Sequence, residues 1–268
     1  MKDAQKYGEW AVVTGASSGI GRQFAIQLAE QGMKVVLVAR SADALTRTAT
    51  QDIRTEAKVI SADLATPEGR DLLLQEIAAL DVGLFVHSAG NAYVGPYLDA
   101  PDDMDEGLIA IHVSATTQLT RAISQRLVAR GGGGIILISS VFGMFPMPFS
   151  SVYGAAKAFM LNLGEALAVE LRDQNIDVLS VAPGGTKTRM GDQLGEVIDL
   201  EKMAMPMGDP AVVAHESLAA LGWRDTIVPA RRNRLMTRMA HLLPRNMVKK
   251  QFGKMLESAL IPQPKSET

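Results

Sequence analysis

Tyr153 and Lys157 stand four residues apart in the run SVYGAAK at 151–157, and Ser140 precedes them at the end of IILISS at 135–140. On a helix, positions i and i+4 share a face, so the phenol and the ammonium project together. A free tyrosine has a pKa of about 10 and is a poor acid–base group at neutral pH. A neighbouring ammonium favours the phenolate and lowers that value. Ser140 falls at a strand's C-terminal end, where open α/β sheets place their ligands, and its hydroxyl is suited to holding a substrate oxygen beside the phenol. The YxxxK spacing alone more often describes a surface helix with incidental Tyr and Lys. The upstream serine and the glycine loop near the start of the chain are what separate the two readings.

That loop is TGASSGIG at 14–21, directly after the apolar run 10–13. Gly15, Gly19 and Gly21, with Ser17, Ser18 and Ile20 between them, lie between a strand and a helix. Backbone N–H groups and the helix dipole there face an anion such as a pyrophosphate. Gly15 permits the tight turn, while Gly19 and Gly21 allow close backbone approach and close helix–sheet packing. The second strand ends in Ala39 followed by Arg40 and Ser41. An NAD-preferring site usually carries an acid at that strand end for the ribose 2′-OH. Here a cation follows a small neutral residue, and Arg40 can pair bidentately with a 2′-phosphate, with Ser17 and Ser41 as further donors. The expected cofactor is NADP(H).

Two such sites need a scaffold that brings them together. Short apolar runs alternate with amphipathic stretches, which implies βα units and a parallel sheet. Strands are expected at 10–14, 34–39, 57–62, 82–87, 134–139 and 177–182, with a shorter seventh at 226–229. Their continuous apolarity suits strands covered on both faces. Helices are expected at 20–31, from the Thr66-Pro67 cap to about 80, at 103–130, at 150–172, and from the Asp209-Pro210 cap to about 221. The expected fold is α/β, a Rossmann-type doubly wound, mostly parallel seven-stranded sheet. Residues 1–230 would form the catalytic domain, with a substrate lid at about 190–208. Residues 231–268 would form a basic helical extension of the same domain.

The chain has 268 residues, 47% of them hydrophobic, enough for one domain with a full core. A net charge of -2 argues against nucleic-acid binding. With no cysteine and four scattered histidines, no metal site is expected. The polar N-terminus and the lack of a long apolar stretch suggest a cytoplasmic protein.

Together these motifs resemble the short-chain dehydrogenase/reductase family from about residue 9 to about residue 225. TGASSGIG is similar to the family's TGxxxGxG loop. Asp63, with Leu64, resembles the position that contacts adenine. Ser88, Ala89 and Gly90 resemble the end of its NNAG motif. Ser140, Tyr153 and Lys157 fall on its catalytic positions. PGGTKT at 183–188 resembles the PGxxxT segment that meets the nicotinamide, which makes Pro183, Gly184, Thr186 and Thr188 candidate contacts. The resemblance implies direct hydride transfer: Tyr153 as proton donor, Ser140 bonding the substrate oxygen, Lys157 on the nicotinamide ribose. It also implies a homodimer or homotetramer built by the two long helices. Two positions depart from the pattern. His112 stands where the family carries a tetrad asparagine, and either passes protons or merely packs. His87 stands at the first asparagine of NNAG and is read as structural.

The substrate side is rich in Met, Phe and Pro, at 141–149 and at 190–207. Met adapts its shape to loosely defined apolar ligands, so a ketone, ketosteroid-like or 3-oxoacyl substrate is expected over a sugar. The tail at 231–254 carries eight cations and no acid, with Leu235, Met239 and Leu242 at helical spacing. It suits peripheral contact with an anionic membrane. The plainer expectation is a helix that packs its apolar side on the core and leaves its charges solvated. A catalytically silent NADP(H)-binding regulator or scaffold is the functional alternative. An epimerase or dehydratase using the same Tyr–Lys pair would need a longer substrate domain.

Overall fold

The computed structural model describes residues 4–199, 202 and 207–261. Seven parallel strands form one sheet: β1 Trp10–Thr14, β2 Lys34–Ala39, β3 Ala57–Ser61, β4 Val82–His87, β5 Gly133–Ile138, β6 Ile176–Val181 and β7 Thr226–Ile227. Their order is β3-β2-β1-β4-β5-β6-β7, so the winding reverses between β1 and β4. Side chains alternate across each strand, and both faces are apolar because both are covered. Val13, Leu37, Val86 and Ile136 meet Phe24 and Leu28 of α1 (Gly19–Glu30). Val12, Val36, Phe85 and Ile135 belong to the opposite core, with Leu119, Ile123 and Leu127 of α5 (Ala115–Arg130). The Rossmann-type doubly wound sheet anticipated from the sequence is the fold.

Several boundaries differ from the sequence expectation, each for a local reason. A helix missed there, α2 (Ala42–Gln51), buries only Leu45 and Thr48 and so shows little apolar periodicity; Ser41 caps it. The helix after the Thr66 cap, α3 (Pro67–Glu76), stops short of 80 because the next residues close i→i−3 turns, Ala78 to Gln75 and Leu80 to Ile77. The expected helix at 103–130 is interrupted. Its parts are α4 (Met104–Ile109), a π-helical turn at Ala110–Ser114, and α5. The turn is supported by the Thr116 and Thr117 hydroxyls, which donate to the carbonyls of His112 and Val113 at 2.7 Å each.

Beyond them run α6 (Ser151–Glu170), α7 (Arg189–Leu194) and α8 (Pro210–Ala220). The tail forms two helices, α9 (Arg231–Leu242) and α10 (Arg245–Ala259), divided at Pro244. α10 packs Leu256 and Ala259 against Val94, Met147 and Ile198. Within the expected lid, residues 200, 201 and 203–206 lie outside the described residues, as do 262–268 of the expected extension. No helix among the described residues is long and apolar enough to cross a membrane.

Candidate active site

The end of β5 is joined to α6 by two hydrogen bonds that run in opposite directions. Ser139 Oγ donates to the Lys157 carbonyl at 2.6 Å, and Lys157 Nζ donates back to the Ile138 carbonyl at 2.9 Å. Ser140 follows on the strand side. Its hydroxyl oxygen accepts the Phe142 N–H at 3.1 Å, and the same hydroxyl bonds the Tyr153 phenol. The Tyr153 ring is held by two edge contacts, with His112 at 5.6 Å between centroids and with Phe142 at 6.2 Å. Lys157 Nζ lies 5.7 Å from the centroid of the Tyr153 ring. The three residues singled out by type and spacing therefore meet.

Their electrostatics depart from the sequence expectation. Burial disfavours the ammonium and pushes Lys157 down to about 7. Burial also disfavours the phenolate and pushes Tyr153 up to about 12, with the Ser140 hydrogen bond acting the other way. The expected lowering of the phenol's pKa by Lys157 is not met in this arrangement. The ammonium is engaged by the Ile138 carbonyl, and desolvation outweighs it.

The two departures from the family pattern occupy fully buried positions. His112 Nε2 donates to the Asn91 carbonyl at 2.8 Å; a carbonyl only accepts, so the proton sits on Nε2. Nδ1 of His112 has no partner among the described residues. Gly90 makes room for this ring, since a Cβ there would overlap His112 Cε1. At the other position the Thr14 hydroxyl oxygen accepts the N–H groups of Ser88 and Ala89, both at 3.0 Å, and donates to His87 Nδ1 at 3.1 Å. That bond links β1 to β4, where Thr14 and His87 are paired, and it is the structural role expected of His87. Desolvation and the Lys157 charge push His87 down to about 3 and hold His112 well below the ordinary histidine range, so both rings are neutral at pH 7. Asn91 was not among the sequence candidates, and Thr14 entered only as the first residue of the glycine loop; their contacts span 21 and 73 residues of chain.

From the phenol a cleft of about 870 Å³ runs to the start of α1. Gly15, Ser17, Ser18, Gly19, Ile20, Gly21, Arg40, Ser41, Asp63, Leu64, Ser88, Ala89, Gly90, Pro183, Gly184, Thr186 and Thr188 all line it, together with Ser140, Tyr153 and Lys157. Ser18 is the N-cap of α1, yet its side chain makes no cap bond. The first N–H groups of a helix have no helical acceptor, so this end is suited to a pyrophosphate. Gly19 has φ +54, and a Cβ on it would come within 2.7 Å of Thr188 Cγ2, which leaves only glycine at this crossing of the two banks. Arg40 is exposed and makes no ion pair among the described residues. Ser41 accepts the Ala44 N–H at 3.4 Å, which leaves its own O–H available as a donor. These groups fit a dinucleotide carrying a 2′-phosphate. Past the phenol the walls turn apolar, with Val94, Met104, Phe142, Met190, Leu194, Ile198 and Met207.

Residues 9–198 match the family described as short chain dehydrogenase. The chain is 35% identical to the very-long-chain 3-oxoacyl-CoA reductase of Bos taurus, over 68% of this chain and 61% of that protein. It is 32% identical to the human 17-beta-hydroxysteroid dehydrogenase type 3 over the same shares. The chain thus spans under two thirds of the length of these relatives. Among solved structures, one of a 7beta-hydroxysteroid dehydrogenase superposes with a TM-score of 0.86 at 25% identity, covering 94% of this chain and 99% of that one. A short-chain dehydrogenase from Sphingobium yanoikuyae in complex with NADPH gives 0.75 at 28% identity, covering 97% and 98%.

Proposed function

The chain belongs to the short-chain dehydrogenase family, and from that premise we propose that it is an oxidoreductase passing hydride between NADP(H) and a carbonyl or secondary alcohol of an apolar substrate. One observation carries this reading. Ser140, Tyr153 and Lys157 converge at the apolar end of a cleft whose far end holds the start of α1 and Arg40. The relatives' names supply the substrate class, a 3-oxoacyl thioester or a ketosteroid, and the Met- and Phe-bearing walls suit either. The NADPH complex of a structural neighbour supports the choice of phosphorylated cofactor, as does the exposed Arg40.

When bound, reduced NADP supplies the hydride that reaches the carbonyl carbon. Tyr153 gives its proton to the carbonyl oxygen, and Ser140 donates a hydrogen bond to the same atom. Lys157 binds the nicotinamide ribose, and the Ser140 hydroxyl, whose hydrogen bond acts to lower the Tyr153 pKa, stabilises the phenolate left behind. The N–H groups at the start of α1 take the pyrophosphate, and Arg40, Ser17 and Ser41 take the 2′-phosphate. In the oxidative direction Tyr153 is the base. His112 is assigned to positioning, its Nε2 bonding the Asn91 carbonyl while its ring braces the Tyr153 ring.

The test is NADPH consumption, followed by absorbance, over a panel of 3-oxoacyl thioesters, ketosteroids and bulky ketones. Turnover on at least one, lost in Tyr153→Phe, is expected. Tight NADPH binding without turnover on any would instead make the chain a silent binding protein.

A further inference from the structure

α9 and α10 share a basic composition but present opposite faces to the domain. α10 buries Val248, Leu256 and Ala259 and keeps Lys250 and Lys254 outside. α9 turns its polar side inward. Arg234 pairs with Glu216 at 3.0 Å, and the same carboxylate accepts the Ala230 N–H at 3.2 Å. Thr237 is buried, and His241 lies 4.6 Å from the ring of Phe145. Ala230, which opens the helix, has φ +65, a left-handed conformation unfavourable for alanine that these anchors hold in place.

The apolar residues of α9 therefore point outward, against the sequence expectation of a helix packed by its apolar side. Leu235 is 60% exposed, Met239 58% and Leu242 85%, with Arg231, Arg232 and Arg238 around them. Of the eight cations in 231–254, only Arg234 is in an ion pair among the described residues. Exposed apolar patches of this kind mark interaction sites.

A second uncovered surface has the opposite sign. Residues 97–109 contain Asp99, Asp102, Asp103, Asp105 and Glu106 and no cation. None of the five carboxylates is in an ion pair among the described residues, and Tyr97 and Leu98 beside them are 61% and 91% exposed. Both surfaces border the cleft. Asp103 and Met104 line it, and Asn233 of α9 sits against Gly184, which also lines it.

We propose that α9 of one copy docks on residues 97–109 of a second copy, the two contacts being exchanged about a two-fold axis. Each contact joins apolar side chains to apolar side chains and cations to carboxylates, and the exchange closes the pair. α9 packed on α9 would set arginine against arginine. An anionic bilayer would attract α9 but would meet the acidic segment at the same cleft. The docked helix stands at the mouth of its neighbour's substrate pocket, so each copy completes the other's site.

The chain has no cysteine, so engineered thiols report this contact alone. Leu98→Cys and Met239→Cys chains, mixed under mild oxidation, are expected to give a disulfide-linked dimer that neither forms alone. In sedimentation, the unmodified dimer is expected to weaken about tenfold on raising salt from 0.05 to 0.5 M. Arg231→Glu/Arg232→Glu/Arg238→Glu added to the Met239→Cys chain is expected to abolish its coupling to Leu98→Cys with the far-UV spectrum unchanged, and Asp99→Lys/Asp102→Lys added to the Leu98→Cys chain is expected to restore it. A dimer without the mixed disulfide, self-coupling of Met239→Cys alone, or a monomer that binds phosphatidylglycerol vesicles would each overturn the proposal. All of these are read without activity, so they stand apart from the test of function.

Discussion

Lys157 Nζ donates to the Ile138 carbonyl at 2.9 Å. The bond places the one buried cation of the site at the end of the strand that carries Ser139 and Ser140, and no carboxylate contributes to its pKa. Burial is then the dominant influence on it.

The first prediction concerns stability. Lys157 titrates at about 7 in the folded chain and near 10.5 when unfolded. Between those values the unfolded chain binds a proton that the folded chain does not, so folding gains stability as pH rises through this window. Lys157→Met removes the penalty at the cost of a carbonyl partner worth ~1 kcal/mol. Its Tm should exceed that of the parent by at least about 3 °C at pH 6, with the gap closing by pH 10, measured by scanning fluorimetry. A lower Tm at pH 6 would contradict the burial argument.

Tyr153→Phe keeps the ring contacts with His112 and Phe142 and removes only the hydroxyl. NADPH affinity should stay within about twofold, while kcat should fall by about 10²–10⁴-fold. Steady-state kinetics with fluorescence titration of the cofactor separates the two effects.

Arg40 is exposed and lines the cleft. Arg40→Ala should raise KM for NADPH by about tenfold or more, the loss of a charge-assisted bidentate contact, and leave KM for NADH unchanged. Equal effects on both cofactors would remove the 2′-phosphate from the account.

His112 and His87 are neutral when folded because burial and Lys157 lower their pKa. Below about pH 6.5 the unfolded chain takes up protons that the folded chain refuses, so stability falls with falling pH. His112→Asn should flatten the acid limb of the Tm–pH curve. Because burial holds the His112 ring neutral at pH 7 and above, the same variant should leave the shape of the kcat–pH profile unchanged there. A displaced limb in that profile would make the imidazole a proton carrier.

The sheet was legible because strands covered on both faces, such as VVLVA at 35–39, are apolar without a break. The Ser140, Tyr153 and Lys157 set was legible because its spacing is local and its chemistry narrow. Helix α2 was not, since it buries one large apolar residue, and neither was the π-helical turn that carries His112, since it changes hydrogen-bond register without changing composition. The high pKa of Tyr153 was hidden because burial is tertiary. In α9 the periodicity of Leu235, Met239 and Leu242 showed which residues share a face, but the Glu216–Arg234 pair decides which face is covered.

The most direct measurement follows the hydride itself. NADPH carrying deuterium at C4 is incubated with the chain and the ketone on which it turns over best, and the product is read by mass spectrometry. The account predicts one deuterium on the carbinol carbon with the parent chain and at least about a hundredfold slower labelling with Tyr153→Phe. Product that forms without the label, or at an unchanged rate in the variant, would contradict it.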